Sequence, residues 1–501
     1  MNKIKKNRIS IYTIIFLLFI SSLFGQENSK KLALEDVLEV AKSQSFQAIL
    51  AKHRFRQNYW RYRTYKAEFL PSINLLSNVI NLQNTIIQNL QDDGTNVNIQ
   101  RNQNNTDATL EIEQNIGITG GRIFIQSYLN RNDDFLNSEN PFSYRSQPFE
   151  IGFNQPINGY NSLIWKKRIE PLRYDAAKKT YLQDMENVSI RAINYFFDLA
   201  LAQVNLKLAE INYANTDTLY KISTGRYNIG TISESELLQM ELKFLNADLA
   251  LNQARLDLEV RKSRLRTFLG FNEKVNIELL IPTDIPDFEI DPLNAIKLAN
   301  NNNPELLDLE RRLLEAEQEV AQSKSEKGIN ANLIASYGLA QKSFEFKNVY
   351  SNPQASQTVR AGIQIPILDW GLVRGKYKMA LSALEVERTS VSQSRIDFEQ
   401  NVFNEVMQFN LQDNQLLIAS KADTIAQIRY DVTKHRFLIG KIDVLDLNIA
   451  LQEKDDAKRS YIAALKLYWI SLFNMRALTL YDFEQNKTID TDFDLLFIQE
   501  E

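Results

Sequence analysis

Few side chains in this sequence have the types and spacing that catalysis or metal binding requires. His53 and His435 are the only histidines, and neither belongs to a pair with metal-ligand spacing. The chain has no cysteine, which excludes disulfides, thiolate metal sites, cysteine nucleophiles and a lipoprotein's acylated cysteine. Carboxylates are spread among Lys and Arg at neighbouring helical turns, as in solvated coiled coils. We therefore expect no enzyme activity, no metal and no cofactor.

The stretch Thr119-Gly120-Gly121 is the one segment that resembles a phosphate-binding loop. No Lys follows the glycines and no long helical pattern begins there. Weakly alternating segments flank it at 109–118 and 122–129. This arrangement favours the turn of a β-hairpin.

The N-terminus indicates export. Four basic residues precede an uncharged apolar run over 9–24, and Gly25 follows the run. The run is shorter than the roughly 20 apolar residues of a membrane-spanning helix, so a cleaved signal peptide over 1–25 is favoured over a membrane anchor. Its removal takes four basic residues from a chain of net charge −4, and the resulting acidic balance does not suggest nucleic acid as a partner.

Long helices are predicted where glycine and proline are missing. Four segments contain neither residue and are rich in Ala, Leu, Glu, Gln, Lys and Arg: 172–224, 231–269, 376–439 and 441–501. A single helix over 376–439 would extend about 96 Å at 1.5 Å per residue. Such lengths, with recurring apolar residues, predict helices that pack along their whole length as coiled coils.

Alternating apolar and polar residues lie between these helices. The alternating segments begin near Pro71, Phe149, Asn332 and Val359. Each is about ten residues long with one apolar face, which suits a strand between lipid and water. A strand of a soluble sandwich gives the same alternation.

The chain contains one unit twice. At a shift of 258 residues, Glu68 matches Glu326 and Asn74 matches Asn332. At a shift of 210, the matched pairs are Pro156 with Pro366, Arg226 with Arg436, Gly230 with Gly440 and Leu237 with Leu447. The two shifts differ by 48 residues, so the first unit carries an insertion, at about 98–147. This insertion either adds strands or forms an external loop.

These signals divide the chain into five parts. After the signal peptide, 26–271 is the first repeat, with strands at about 71–157 and a long helical hairpin at 159–270. An irregular linker with Pro282, Pro286 and Pro292 occupies 272–292. The second repeat is 293–481, with strands at about 330–367 and a helical hairpin at 370–480, and 482–501 is a C-terminal tail.

This arrangement resembles the TolC-like outer membrane efflux protein family from about Leu32 to Leu480. The motifs that carry the resemblance are Leu34-Glu35-Asp36-Val37-Leu38, Lys66-Ala67-Glu68-Phe69-Leu70-Pro71-Ser72 and two Arg-aromatic-x-x-Gly hairpins, at Arg226 and Arg436. The resemblance implies a mainly α-helical fold with a β-barrel part, in which three copies share one barrel of short transmembrane strands and one periplasmic tunnel of coiled-coil helices. With two strand pairs per chain, three copies would supply twelve strands.

The resemblance also assigns roles to the two hairpin tips, which would dock a periplasmic adaptor protein. The docking residues would be Arg226, Tyr227, Gly230, Thr231, Ile232, Ser233, Arg436, Phe437, Gly440, Lys441, Ile442 and Asp443. For Ile232 and Ile442, packing inside the protomer is the alternative. Glu236 and Asp446 match positions near the periplasmic entrance, where a ring of carboxylates can favour cations, and an ordinary solvated helix face is the alternative. Phe437 and Ile442 depart from the family pattern, because neither offers the polar contact of a lock.

The sequence thus predicts the outer-membrane channel component of a tripartite efflux pump or a type I secretion system in a Gram-negative bacterium. It would be a passive homotrimeric conduit that crosses outer-membrane lipid, extends into the periplasm and meets an adaptor and an inner-membrane pump. The alternatives are an exported coiled-coil structural or binding protein without a channel, and a secreted polysaccharide-active enzyme.

Overall fold

A computed structural model describes residues 29–90, 94–271, 276–282, 285–286, 288–439, 441–442 and 444–497. The predicted signal peptide lies outside these residues. The chain divides into two compact units. Unit 1 takes the described residues of Met1–Phe55, Lys178–Asn303 and Asp397–Glu501, and unit 2 takes those of Arg56–Ala177 and Pro304–Ile396. Each unit combines segments of both repeats.

Long helices dominate the described chain. They are α1 (Leu34–Gln44), α2 (Phe46–Ala67), α3 (Ser162–Asn228), α4 (Glu234–Leu269), α5 (Pro292–Asn302), α6 (Pro304–Glu326), α7 (Leu372–Leu438) and α8 (Val444–Thr479). The four glycine-free and proline-free segments are helical over most of their length, as predicted, but the last one, 441–501, is helical only as far as Thr479 and continues in short strands. Helix α3 nevertheless begins before Pro171 and includes it. Proline costs a helix one N–H bond, but the other hydrogen bonds of a 67-residue helix remain.

The strands of unit 2 form one antiparallel sheet. They are β2 (Ser72–Asn78), β3 (Leu82–Leu90), β4 (Asn96–Ile116), β5 (Gly121–Asp134), β6 (Phe142–Ile157), β8 (Asn330–Ser343) and β9 (Gln354–Gln364). Their order is β2-β4-β5-β6-β8-β9, and β3 lies beside β2 on the same edge of β4. The predicted hairpin in the insertion is confirmed, because β4 and β5 pair from Gln103 with Asp134 to Ile116 with Gly121.

Two of the short strands of unit 1 lie near the N-terminus and in the linker. Strand β1 (Ser29–Leu32) pairs in parallel with β7 (Asn276–Leu279). Strand β7 falls within the linker, which therefore differs from the predicted irregular segment: Ile277 and Leu279 are buried, and the linker ends where Pro292 starts α5. The apolar residues of this segment pack into the core of unit 1, and its prolines alone did not indicate this.

The core of unit 1 lies between the long helices. Phe196 and Phe197 of α3, Phe409 of α7 and Tyr468 of α8 are all at most 1% exposed. Burying each such side chain contributes about 1.5–3 kcal/mol. The C-terminal tail packs on the same unit, where the rings of Phe493 and Phe497 contact Phe55. Strand β10 (Tyr481–Asp482), at the start of the tail, pairs with β11 (Lys487–Thr488) within it.

Within the described ranges, no helix is both long enough and apolar enough to cross a bilayer.

Candidate functional site at the helix-hairpin tips

The first tip reverses the chain between α3 and α4 through a glycine. Gly230 has φ +75°, a left-handed conformation that a side chain disfavours. Its N–H donates to Tyr227 O at 2.8 Å, and the Thr231 N–H donates to Arg226 O at 2.9 Å. This pair of bonds is the Schellman motif that ends a helix. Gly230 therefore ends α3 and begins the reversal of the chain.

Helix α4 then begins with a reciprocal cap. Ser233 Oγ accepts from the Glu236 N–H at 3.3 Å, and Glu236 Oε2 accepts from the Ser233 N–H at 2.7 Å. The Ser233 hydroxyl also donates to Glu236 Oε2 at 2.9 Å. The Ser233 N–H and then its hydroxyl hold the pKa of Glu236 below its usual value. Glu236 therefore stays ionised at the tip and fixes the start of α4.

The second tip repeats part of this arrangement. The Lys441 N–H donates to Arg436 O at 3.0 Å, the counterpart of the bond from Thr231 to Arg226. Gly440 and Asp443 lie outside the described residues. Asp446 is exposed in the first turn of α8. The shared bond shows that the internal duplication extends to the turn geometry.

The predicted docking residues differ in exposure. Arg226, Tyr227, Thr231, Ser233, Arg436 and Lys441 are exposed at the tips, whereas Ile232, Phe437 and Ile442 are half-buried. The half-burial of the two isoleucines is compatible with both of their proposed roles.

Other apolar residues are more exposed than the ones that the sequence singled out. Ile229 is 74% exposed and Ile439 is 65% exposed, each directly before the tip glycine. Leu445 and Leu238 on the following helices are 63% and 56% exposed. The Ile-Gly pair that occurs in both repeats could have indicated this exposure in the sequence, because an isoleucine at the end of a helix has few neighbours to cover it. Their exposure makes these four residues candidates for contact with a partner.

Behind the tips, unit 1 holds a polar seam, defined as the lining of a cavity of about 660 Å³ between α3, α4 and α8. Its polar residues include Asn205, Asn212, Lys243, Asn448 and Asp455. Asn212 Nδ2 donates to Asp455 Oδ2 at 2.8 Å, and burial lowers the pKa of Lys243. The Oδ1 atom of Asn205 and the Nδ2 atom of Asn448 are buried without a hydrogen-bond partner among the described residues.

The seam follows a pattern that the sequence carries. Asn205 and Asn212 are one heptad apart, and so are Asn448 and Asp455. Polar residues at heptad core positions fix the register of a coiled coil and lower its stability. The seam thus differs from the surroundings of Phe409 and Tyr468, where the buried side chains are apolar.

Within the part of the chain that the structure describes, no group of three or more His, Cys, Asp or Glu side chains is placed to hold a metal ion.

The comparisons agree with this geometry. A model of the family "Outer membrane efflux protein" matches residues 40–271 and 295–479, one segment for each repeat. The crystal structure of the Campylobacter jejuni CmeC outer membrane channel superposes with a TM-score of 0.65 at 14% identity, over 93% of this chain and 89% of that one. The outer membrane protein VceC from Vibrio cholerae gives 0.63 at 12% identity, over 91% of this chain and 97% of that one. These structures share the fold with this chain. No curated protein sequence matches it.

Proposed function

Since the chain belongs to the outer membrane efflux protein family, and is thus an outer-membrane channel protein that extends into the periplasm, we propose that three copies form one passive conduit. The sheet of each copy contributes to a shared barrel in the outer membrane, and the long helices form a tunnel through the periplasm. The match over both repeats carries this proposal, because both repeats are needed to supply the sheet and both hairpins. The family and the fold are those of channel proteins and not of enzymes.

Two apolar stripes support assembly with further copies of the same chain. On α4 the exposed residues Leu238, Leu242, Leu245, Leu249 and Leu256 recur at heptad spacing. On α7 the exposed residues Met407, Leu411, Ile418, Ile425 and Val432 do the same. Heptad stripes bury their apolar residues against another helix. In a homotrimer, α4 of one copy would cover α7 of the next.

The tips are where the conduit would meet its periplasmic adaptor. Ile229 and Ile439 project from two hairpins with similar turns, which suits a partner that presents repeated apolar grooves between helices. Glu236 and Asp446 would place carboxylates near the entrance and favour cations. Because Glu236 is already bonded to Ser233, its charge is fixed in position and is not free to form a latch.

The polar seam would allow the entrance to open. Two helices that meet through unpaired amides lose less on separation than two that share an apolar core. Docking of an adaptor at the tips could therefore shift one hairpin against the other along the seam. Energy for transport would come from an inner-membrane pump.

Conductance of the purified protein in a planar bilayer tests the proposal. Wild type should give discrete, cation-selective channels, and Asp446→Ala should show weaker cation selectivity. Gln239→Ala, at an exposed position of α4, is the control and should leave selectivity unchanged. A protein that is extracted without detergent as a monomer, with no conductance, would contradict the conduit.

A further inference from the structure

The insertion in the first repeat forms two strands inside the sheet. Strand β4 pairs with β2 and β3 along one edge and with β5 along the other. Strand β5 then pairs with β6 over Arg122 to Asp133. The hairpin therefore lies between β2 and β6, in the middle of the sheet, and not beyond an edge. The sheet is six strands wide, counting β2 and β3 as one position.

The pairing register assigns side chains to the two faces of the sheet, because directly opposed residues of antiparallel strands lie on the same face. One row crosses all six positions through Ile73, Ile112, Ile125, Ile151, Tyr337 and Gln357. A second row contains Gln114, Ile123, Phe153, Ala335 and Val359, of which only Gln114 is polar. The inserted strands thus continue an apolar face that the other four strands also form.

The opposite face is mainly polar in the inserted strands too, with Phe124 and Tyr128 of β5 as its aromatic members. A row one residue away passes through Asn74, Glu111, Gln126, Glu150, Gly338 and Ser356. Within it, Gln126 Nε2 donates to Glu150 Oε2 at 2.7 Å, from an inserted strand to β6. A strand with lipid on one side and water on the other alternates in this way. In an external loop, no such alignment of the apolar residues with those of the neighbouring strands would be expected.

From this register we infer that each copy gives six strands, and not four, to the wall of the barrel in the membrane. The inference rests on the proposed trimeric channel. Three copies would then form a barrel of about 18 strands, in the size range of porins that enclose an aqueous channel. The inserted hairpin widens the outer-membrane part of the conduit.

The occupant of the two open sheet edges is a second copy of this chain. The edges are β2 with β3 on one side and β9 on the other. Six strands are fewer than the roughly eight of the smallest barrels, so one copy cannot close its own sheet. Lipid cannot satisfy the backbone groups of an open edge. The apolar rows reach both edges, at Ile73 and at Val359, so the lipid-facing face would continue into the next copy.

Single cysteines test the wall, because the chain has none of its own. The variants are Ile112→Cys and Glu111→Cys in β4, Ile125→Cys and Gln126→Cys in β5, and Val359→Cys and Thr358→Cys in β9 as the reference pair. Each full-length protein is labelled with a fluorophore and reconstituted into vesicles. Brominated lipid should quench the label at 112, 125 and 359 several-fold more than aqueous iodide does, and the preference should reverse at 111, 126 and 358.

The reference strand separates two kinds of failure. If iodide quenches the labels at 112 and 125 while brominated lipid quenches the label at 359, the six-strand wall is wrong. The proposed channel would be unaffected by that result. A reference pair that does not alternate would overturn the proposed membrane wall itself, and the inference with it.

Cross-linking tests the contact between copies. Ile73→Cys is combined in turn with Thr358→Cys, Val359→Cys and Arg360→Cys, which scans the unknown register between β2 and β9. At least one combination should yield covalent trimers on oxidation, and each single variant should yield none. Absence of trimers from all three combinations would overturn the edge contact.

Discussion

Glu186 Oε2 accepts a hydrogen bond from Arg476 Nε at 2.8 Å, which joins α3 of the first repeat to α8 of the second. The other carboxylate oxygen of Glu186 accepts from Lys42 Nζ at 2.7 Å, and Arg476 also pairs with Asp482 at 2.6 Å. Burial lowers the pKa of Arg476, but Glu186 and Asp482 outweigh it and the pKa lies above its ordinary value. The two repeats and the C-terminal tail thus share one buried ionic cluster in unit 1.

Removing one member of this cluster should be costly. Glu186 is 1% exposed, so Glu186→Ala would leave the Arg476 charge buried with one partner fewer, at a cost of about 3–5 kcal/mol. The denaturation midpoint in detergent, followed by circular dichroism, measures the loss. Asp217→Ala is the matched control, because it breaks the pair with Lys221, whose side chain is 72% exposed, and should cost under about 1 kcal/mol. Equal effects of the two variants would contradict a structural role for the buried cluster. Glu186→Gln serves if the alanine variant does not fold.

Two glycines near the first tip should respond in opposite directions to the same substitution. Gly230 is left-handed with open space around it, so Gly230→Ala should cost about 1–2 kcal/mol through backbone strain alone. Gly225 lies within α3, also with open space, and Gly225→Ala should stabilise the helix by about 0.5–1 kcal/mol. Hydrogen exchange of amides in the tip measures both. Exchange in Gly230→Ala that is no faster than in wild type would contradict the role assigned to the left-handed turn, and faster exchange in Gly225→Ala would contradict the expected stabilisation of α3.

The exposed stripe on α4 should hold the trimer together. Leu245→Glu places a charge among apolar side chains that would be buried against the next copy, and should reduce the trimer fraction at least tenfold. Gln239→Glu adds the same charge at an exposed position beside the stripe and should leave assembly unchanged. Size-exclusion chromatography with light scattering, in a mild detergent, gives the trimer fraction. A fully trimeric Leu245→Glu protein would show that the stripe contacts something other than a second copy.

An apolar seam should stabilise the hairpins and keep the entrance closed. The double variant Asn205→Leu with Asn448→Leu replaces two amides that have unpartnered buried atoms, so the unfolding temperature should rise. The open probability in planar bilayers should fall, because separation of the helices would now expose apolar surface. Gln239→Leu is the control and should change neither quantity. A double variant that opens as often as wild type would exclude the seam as the moving part.

The long helices and the turns at the tips can be predicted from the sequence. Long runs without glycine or proline predict helices by their composition. The position of Gly230 between two such runs predicts the turn. The position of the inserted strands in the middle of the sheet could not be predicted from the sequence, because the alternation in β4 and β5 is weak. Only the pairing register aligns Ile112 and Ile125 with Ile73 and Ile151. The polar seam was also missed, since an isolated asparagine on a long helix looks like solvated surface until its neighbours are known.

Stability should depend on pH through Asp184 in unit 1. Burial raises the pKa of Asp184, and Arg54 opposes the shift. A carboxyl whose pKa is higher in the folded protein than in the unfolded chain stabilises the fold below the unfolded value, and this contribution is lost as the pH rises through the folded value. Asp184→Asn should therefore raise the unfolding temperature at pH 8, and the gain should vanish as the pH falls towards 4. Thermal unfolding in detergent at both pH values measures the effect, with Asp248→Asn at an exposed position of α4 as the control. An equal gain at both pH values would mean that lost packing or altered hydrogen bonding, and not the buried charge, governs the change.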